Sequence, residues 1–187
     1  MKTGLFFGSF NPLHNGHLAI ALFFIEQTEI EQIWFIPSPH NPLKKASELL
    51  PFSERIEMCE LALAKYDKLS VCNIEASLPQ PSYTIVSLNA LTELYTEHDF
   101  VIILGSDSID GFEQWKDYIT ILEKYKIFVY PRKKHYSLPE HFTQYQITLF
   151  HTPVFEVSSS LVRDCIKEGK DFSHMVPEII FEFLRLK

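Results

Sequence analysis

Cysteine and glycine are both scarce in this chain, and each shortage removes possibilities. The three cysteines, Cys59, Cys72 and Cys165, are odd in number and widely spaced, which excludes a disulfide framework and suits a reducing, cytoplasmic setting. Neither Cys-x-x-Cys nor His-Glu-x-x-His spacing occurs, so a zinc site with three or four ligands is excluded, and a structural metal protein with it. Long apolar runs are missing too: the stretch at 18–25 has eight residues, where a membrane helix needs about 20. Met1-Lys2 leads directly into a strand pattern, so neither a membrane span nor a signal peptide is expected. No low-complexity tract or internal repeat divides residues 1–187, and a single domain is expected over that range. Basic excess is also lacking. Seventeen Lys and Arg against 24 Asp and Glu give a formal charge of −7, which argues against nucleic-acid partners while leaving room for one small anionic ligand.

What the chain does contain is concentrated. Of its six glycines, two fall in the stretch Gly8-Ser9-Phe10-Asn11-Pro12-Leu13-His14-Asn15-Gly16-His17. Thr3–Phe7 before it reads as a short buried strand, and Leu18–Ile25 after it as a buried helix. His14 and His17 then straddle a helix start, where free backbone N–H groups and the positive end of the helix dipole attract anions. Glycine at 8 and 16 permits close backbone approach to such a ligand. The dipole biases these imidazoles towards neutrality and a bound phosphate towards charge, and both effects remain in play.

A second cluster lies in Val157-Ser158-Ser159-Ser160-Leu161-Val162-Arg163. Ser158 or Ser159 suits a helix N-cap, Leu161, Val162, Cys165 and Ile166 form an apolar helical stripe, and Gly169 can end the helix. Alone this is an ordinary helix start. Paired with the first cluster, three serines and an arginine one turn into a helix make a second anion cradle, suited to a triphosphate tail.

The decad resembles the Gly-x-Phe-Asp-Pro-x-His-x-Gly-His signature of the nucleotidyltransferase superfamily, with Asn11 in place of the usual Asp, and the serine cluster resembles that superfamily's Ile-Ser-Ser-Thr-x-Ile-Arg motif. The dinucleotide fingerprint Gly-x-Gly-x-x-Gly is absent. Between the two signatures, Ile33–Pro37 with Pro39–Lys45, Phe52–Met58, Pro81-Ser82-Tyr83-Thr84, Leu104–Ser108 with Trp115, Arg132 and Met175-Val176-Pro177 resemble bacterial nicotinate mononucleotide adenylyltransferase over nearly the whole chain. The resemblance implies transfer of AMP from ATP to nicotinate mononucleotide, giving nicotinic acid adenine dinucleotide and pyrophosphate in NAD biosynthesis, with Mg²⁺ accompanying ATP.

It further implies catalytic roles for His14, His17, Lys44 and Arg163, and ATP contacts from Gly8, Ser9, Phe10, His14, Gly16, His17, Gly105, Asp107, Ser158, Ser159 and Arg163. Lys44, Tyr83, Thr84, Trp115 and Arg132 would hold the mononucleotide. In this reading Trp115 stacks on the pyridinium ring, whereas Trp34 is a core aromatic. The helix opened by Tyr83-Thr84 offers N–H groups to the nicotinate carboxylate, and Arg132 takes the mononucleotide phosphate. No close metal ligand is implied; Asp107 is expected to reach Mg²⁺ only through water. A homo-oligomer is compatible with the sequence. Another small adenylyltransferase, such as one acting on phosphopantetheine, shares both terminal signatures but leaves Ser82-Tyr83-Thr84 and Trp115 unexplained. A non-catalytic nucleotide sensor on the same fold has Asn11 as its only support.

Apolar runs at 3–7, 31–36, 69–74, 100–104 and 126–130 alternate with helical patterns at 16–27, 52–65, 84–95 and 117–124. This is the pattern of an α/β, doubly wound parallel sheet of the Rossmann-like nucleotidyltransferase kind, expected order 3-2-1-4-5. Segments 145–150 and 154–157 are candidates to extend it, and helices at 159–168 and 177–186 follow. The motifs succeed strands one, two, four and five, so all should face one sheet edge.

Overall fold

The computed structural model describes residues 1–40 and 49–186. Six parallel strands form one sheet in the order β3-β2-β1-β4-β5-β6. They are β1 (Lys2–Gly8), β2 (Gln32–Pro37), β3 (Leu69–Val71), β4 (Asp99–Gly105), β5 (Lys126–Tyr130) and β6 (Ile147–Leu149). The helices are α1 (Asn15–Gln27), α2 (Phe52–Leu63), α3 (Thr84–Leu94), α4 (Ser106–Asp110), α5 (Tyr118–Lys124), α6 (Ser159–Lys167) and α7 (Glu178–Arg185).

Alternation along the strands divides the core in two. On one face Phe6, Val101, Ile103, Ile33 and Phe35 pack with Leu18, Phe24, Met58, Val162 and Ile180 from α1, α2, α6 and α7. On the other, Leu5, Ile36, Ile102, Leu104 and Val129 pack with Ile85, Leu88, Ile109 and Ile121 from α3, α4 and α5. A parallel sheet covered on both faces needs apolar side chains at successive positions, which is why these strands read as continuous hydrophobic runs. Phe24 illustrates the density: fully buried, it stacks on Phe128 at 5.8 Å between centroids and meets Phe150 edge-on at 5.1 Å. Burial of one such ring contributes roughly 1.5–3 kcal/mol.

The order corrects the expected one at a single edge. Ile147–Leu149 adds a sixth strand beside β5, whereas 154–157 forms no strand and runs irregularly towards α6. A second difference is α4: Ser106–Asp110 is helical, with Gly105 as its N-cap residue.

Strand order reverses between β1 and β4, and this switch point positions the site. Gly8 pairs with Pro37, and Gly105 with Tyr130, so the last residues of β1, β2, β4 and β5 form one row at the carboxyl edge. Loops leaving adjacent strands in opposite directions at such a point leave a crevice between them.

Candidate active site

The crevice is a cleft of about 1010 Å³. Gly8, Ser9, Phe10, His14, His17, Tyr83, Thr84, Gly105, Asp107, Trp115, Arg132, Ser158, Ser159 and Arg163 all line it. Lys44 lies outside the described residues. Gly16 is the one described candidate that does not line the cleft: a Cβ there would stand 2.9 Å from Val157 and 3.1 Å from the His14 ring. Glycine at this position is therefore also required by packing of the segment before α6 against the start of α1. Gly8 is similarly constrained, since its Cβ would meet the Phe10 ring at 2.9 Å. Phe10 itself takes a left-handed φ of 44°, which turns the chain sharply and buries its ring beneath the cleft.

His14 is the N-cap residue of α1, and its backbone N–H donates to His17 Nδ1 at 3.2 Å. An accepting Nδ1 puts the proton of neutral His17 on Nε2, which then acts as a donor. The two rings stack with centroids 3.6 Å apart. Burial, reinforced by the nearby Arg132 charge, pushes His14 down to about 3. Burial and the Arg132 charge thus add to the dipole in favouring a neutral His14 in the free protein.

The two terminal signatures meet directly. Arg163 donates to the Asn11 carbonyl at 2.9 Å and to Ser160 Oγ at 3.2 Å, and Ser159 donates to the Pro12 carbonyl at 2.9 Å. Ser158 is the N-cap: its Oγ accepts from the Leu161 N–H at 3.1 Å. These bonds adjust the expected donors. The Ser159 hydroxyl is already donated within the protein, whereas Ser158 retains its hydroxyl proton, and Ser160, the third serine of the cradle, also lines the cleft. Asn11 Oδ1 accepts from the Leu50 N–H at 3.0 Å, a bond that an aspartate oxygen makes equally well.

Across the cleft, Arg132 stands over the Tyr130 ring, 3.6 Å from Asp107 Oδ1, with its N–H donating to Ser106 Oγ. A Cβ on Gly105 would collide with Asp107 Oδ1 and lie 3.1 Å from Arg132 Nε, so glycine is what allows this pair to sit over the end of β4. Arg132 Nε and Ser9 Oγ are buried polar atoms without a hydrogen-bond partner among the described residues, donors suited to an oxygen-rich ligand.

At the far end, Tyr83 is the N-cap residue of α3, whose first turn has N–H groups without intrahelical partners. Glu75 Oε1 accepts from Ser87 Oγ at 2.7 Å and so ties the preceding turn to this helix start. Burial pushes the Glu75 carboxyl up, towards its neutral form. Trp115 rests on Phe112 at 4.8 Å between centroids while lining the cleft, and Trp34 packs instead among Tyr95, His98 and Phe100.

Arg55 is the residue whose part the sequence hid. It is 1 % exposed, has no carboxylate partner among the described residues, and donates to the carbonyls of Ser9, Ser38, Pro39 and Leu50 at 2.7–3.0 Å. One side chain thereby clamps the loops after β1 and β2. A helical Arg in an amphipathic pattern gives no sign of this, and only the count of carbonyls it satisfies reveals it.

Metal-ligand geometry is sparse. No group of three His, Cys, Asp or Glu suited to a metal ion occurs among the described residues, and the cleft's acids, Asp107 and Glu75, are engaged by Arg132 and Ser87. Such a site fits a cation carried in by phosphate oxygens and water.

Residues 5–165 match the cytidylyltransferase-like family. A Flavobacterium johnsoniae protein called "Probable nicotinate-nucleotide adenylyltransferase" is 41% identical over 98% of this chain and 96% of its own length. A Porphyromonas gingivalis protein of the same description is 44% identical over 95% of this chain and 90% of its own. Among solved structures, the Plasmodium falciparum nicotinic acid mononucleotide adenylyltransferase complexed with NaAD superposes with a TM-score of 0.83 over 98% of this chain and 94% of that one; at 19% identity it supports the fold.

Proposed function

Since the chain belongs to the nicotinate-nucleotide adenylyltransferase family, we propose that its cleft moves the adenylyl group of ATP onto nicotinate mononucleotide, forming nicotinic acid adenine dinucleotide and releasing pyrophosphate. The observation that carries this reading is the convergence of two distant motifs: Arg163 and Ser159 bonded to Asn11 and Pro12, in the cleft lined by the stacked His14 and His17.

The reaction asks little of a general base. The attacking group is a phosphate monoester whose second pKa is about 6, so it arrives ionised. Its oxygen bonds to the α-phosphorus, the bond from that phosphorus to the β-bridging oxygen breaks, and no proton need be removed. The required work is alignment of two anions and neutralisation of charge moving onto pyrophosphate. His17 Nε2–H suits the α-phosphate, and Arg163 with the α6 N-terminus suits the β- and γ-phosphates, a role Lys44 would share. Bound with ATP, Mg²⁺ would supply charge neutralisation at the phosphate oxygens, with Asp107 its nearest candidate partner through water. Arg132 stands close enough to His14 to depress its pKa. That proximity suits a cation holding the acceptor phosphate beside the α-phosphate. Trp115 offers the acceptor ring an apolar face and cation–π contact, and the first turn of α3 offers N–H groups to its carboxylate.

The same reading sets the protein in the cytoplasm, consistent with three free cysteines, two of them buried, and takes its partners to be the two nucleotides rather than nucleic acid. The test is pyrophosphate release in the presence of ATP and Mg²⁺ with nicotinate mononucleotide, nicotinamide mononucleotide or phosphopantetheine. Release with nicotinate mononucleotide supports the proposal; release with phosphopantetheine alone, or with none, overturns it. In the same assay Trp115→Ala should raise the acceptor KM, and His17→Ala should lower kcat.

A further inference from the structure

Lys116 lines the cleft without any assigned part. The residue is exposed, and no carboxylate lies within ion-pair distance of it among the described residues. Its ammonium sits 4.9 Å from the centre of the Tyr83 ring. Tyr83 is the N-cap residue of α3, so a full positive charge and the partial positive charge of a helix start converge on the same wall. On the other side Lys116 follows Trp115, which is held against Phe112, and precedes Asp117, whose left-handed φ of 52° begins α5. The backbone at Lys116 is thus fixed between a packed indole and a turn, which directs the side chain across the cleft to Tyr83. Glu75, the acid in this wall, is buried behind it and bonded to Ser87, and its burial favours the neutral form, so it does not cancel the lysine.

We propose that Lys116 is a specificity-determining residue of the acceptor subsite, its ammonium on the Tyr83 ring favouring a pyridine mononucleotide whose ring bears a carboxylate over one bearing the isosteric amide. The inference rests on the adenylyl-transfer reading above and adds a side chain to it. Backbone N–H groups alone discriminate weakly between acid and amide, because an amide oxygen accepts the same hydrogen bond. A point charge distinguishes them: it attracts the anion, while the amide still presents an NH₂ group that Lys, a pure donor, cannot satisfy.

The test compares wild type, Lys116→Met and Lys116→Arg on nicotinate and nicotinamide mononucleotide, with matched thermal melts as the folding control. Lys116→Met should lower the acid-to-amide ratio of kcat/KM about tenfold, the size of a lost charge-assisted bond, through the KM for the acid rather than kcat. Lys116→Arg should restore most of the ratio. Rising salt should erode the ratio in wild type and leave it flat in Lys116→Met. An unchanged ratio, or an equal fall for both acceptors, overturns the role of Lys116 while leaving adenylyl transfer intact. A wild type that releases pyrophosphate with neither mononucleotide overturns the reading beneath it and the proposal together.

Discussion

Arg163 and Asn11 lie 152 positions apart in the chain, yet the guanidinium of one donates to the main-chain carbonyl of the other at 2.9 Å. The bond leaves the arginine oriented by backbone rather than by a carboxylate, so no carboxylate among the described residues neutralises its charge where phosphate would bind. An acidic partner would have held it equally well at the expense of that charge.

Removing this cation should therefore act on rate more than on folding. Arg163→Ala is expected to lower kcat for pyrophosphate release about 10²-fold, as loss of one group that stabilises developing charge does elsewhere. Arg163→Lys should fall between, keeping charge but losing the fork that reaches Asn11 and Ser160 together. Single-turnover kinetics with saturating ATP separate this from weaker ATP binding.

Asn11→Asp should be nearly silent. The hydrogen bond from the Leu50 N–H needs only an oxygen at that position. Turnover within about fivefold of wild type, under ~1 kcal/mol, is expected. Asn11→Leu deletes the acceptor and leaves a partly buried N–H unpaired, so it should cost about 1–3 kcal/mol in urea unfolding. A large activity gain in Asn11→Asp would contradict the view of Asn11 as an equivalent turn residue.

Arg55 has the opposite profile. Arg55→Met should destabilise the fold by about 3 kcal/mol, because an apolar side chain of similar length leaves four carbonyls without a donor. Activity should fall as well, since Ser9 and Ser38 both line the cleft. Urea titration and hydrogen exchange at the two loops would measure it, and a variant as stable as wild type would show that the clamp is dispensable.

His14 makes stability depend on pH in a definite direction. Its pKa is lowered from 6.5 to about 3 in the folded state. Between those values the unfolded chain binds a proton that the folded chain refuses, so stability is full above about pH 6.5 and falls as pH drops towards 3. The loss across the window is on the order of 5 kcal/mol. His14→Asn should flatten that part of the profile relative to wild type, as read from urea midpoints at about pH 7 and about pH 4.5; an identical slope would mean the imidazole titrates freely.

Most of the frame was legible because strand position and motif position are both local. A run such as Phe100–Leu104 followed by Gly105 announces a buried strand and the loop at its end, and five such runs sufficed to bring Gly8, Gly105 and Arg132 to one edge. What escaped was contact that sequence spacing does not encode. Gly16 reads as a ligand glycine, and its packing against Val157, 141 positions away, is a second demand that the sequence does not display. Ser159 lines the cleft as its motif suggests, but that its hydroxyl proton goes to the Pro12 carbonyl is not written in the spacing. Lys116 belongs to no motif, and only its approach to Tyr83 sets it apart. Residues 154–157 have strand-like composition, yet β6 already occupies the sheet edge, and this segment instead delivers Val157 to the start of α1.

The bonds from Ser159 and Arg163 back to Pro12 and Asn11 also bear on how the protein comes into being. During synthesis the histidines emerge early, but the cradle they share with α6 does not exist until that late helix has left the ribosome and docked. At about 5–20 residues per second, the nascent chain spends on the order of ten seconds or more with half a nucleotide site. A chain cut short before α6 should accordingly bind and turn over ATP poorly, because the donors of Ser158 and Arg163 would be missing from the cleft.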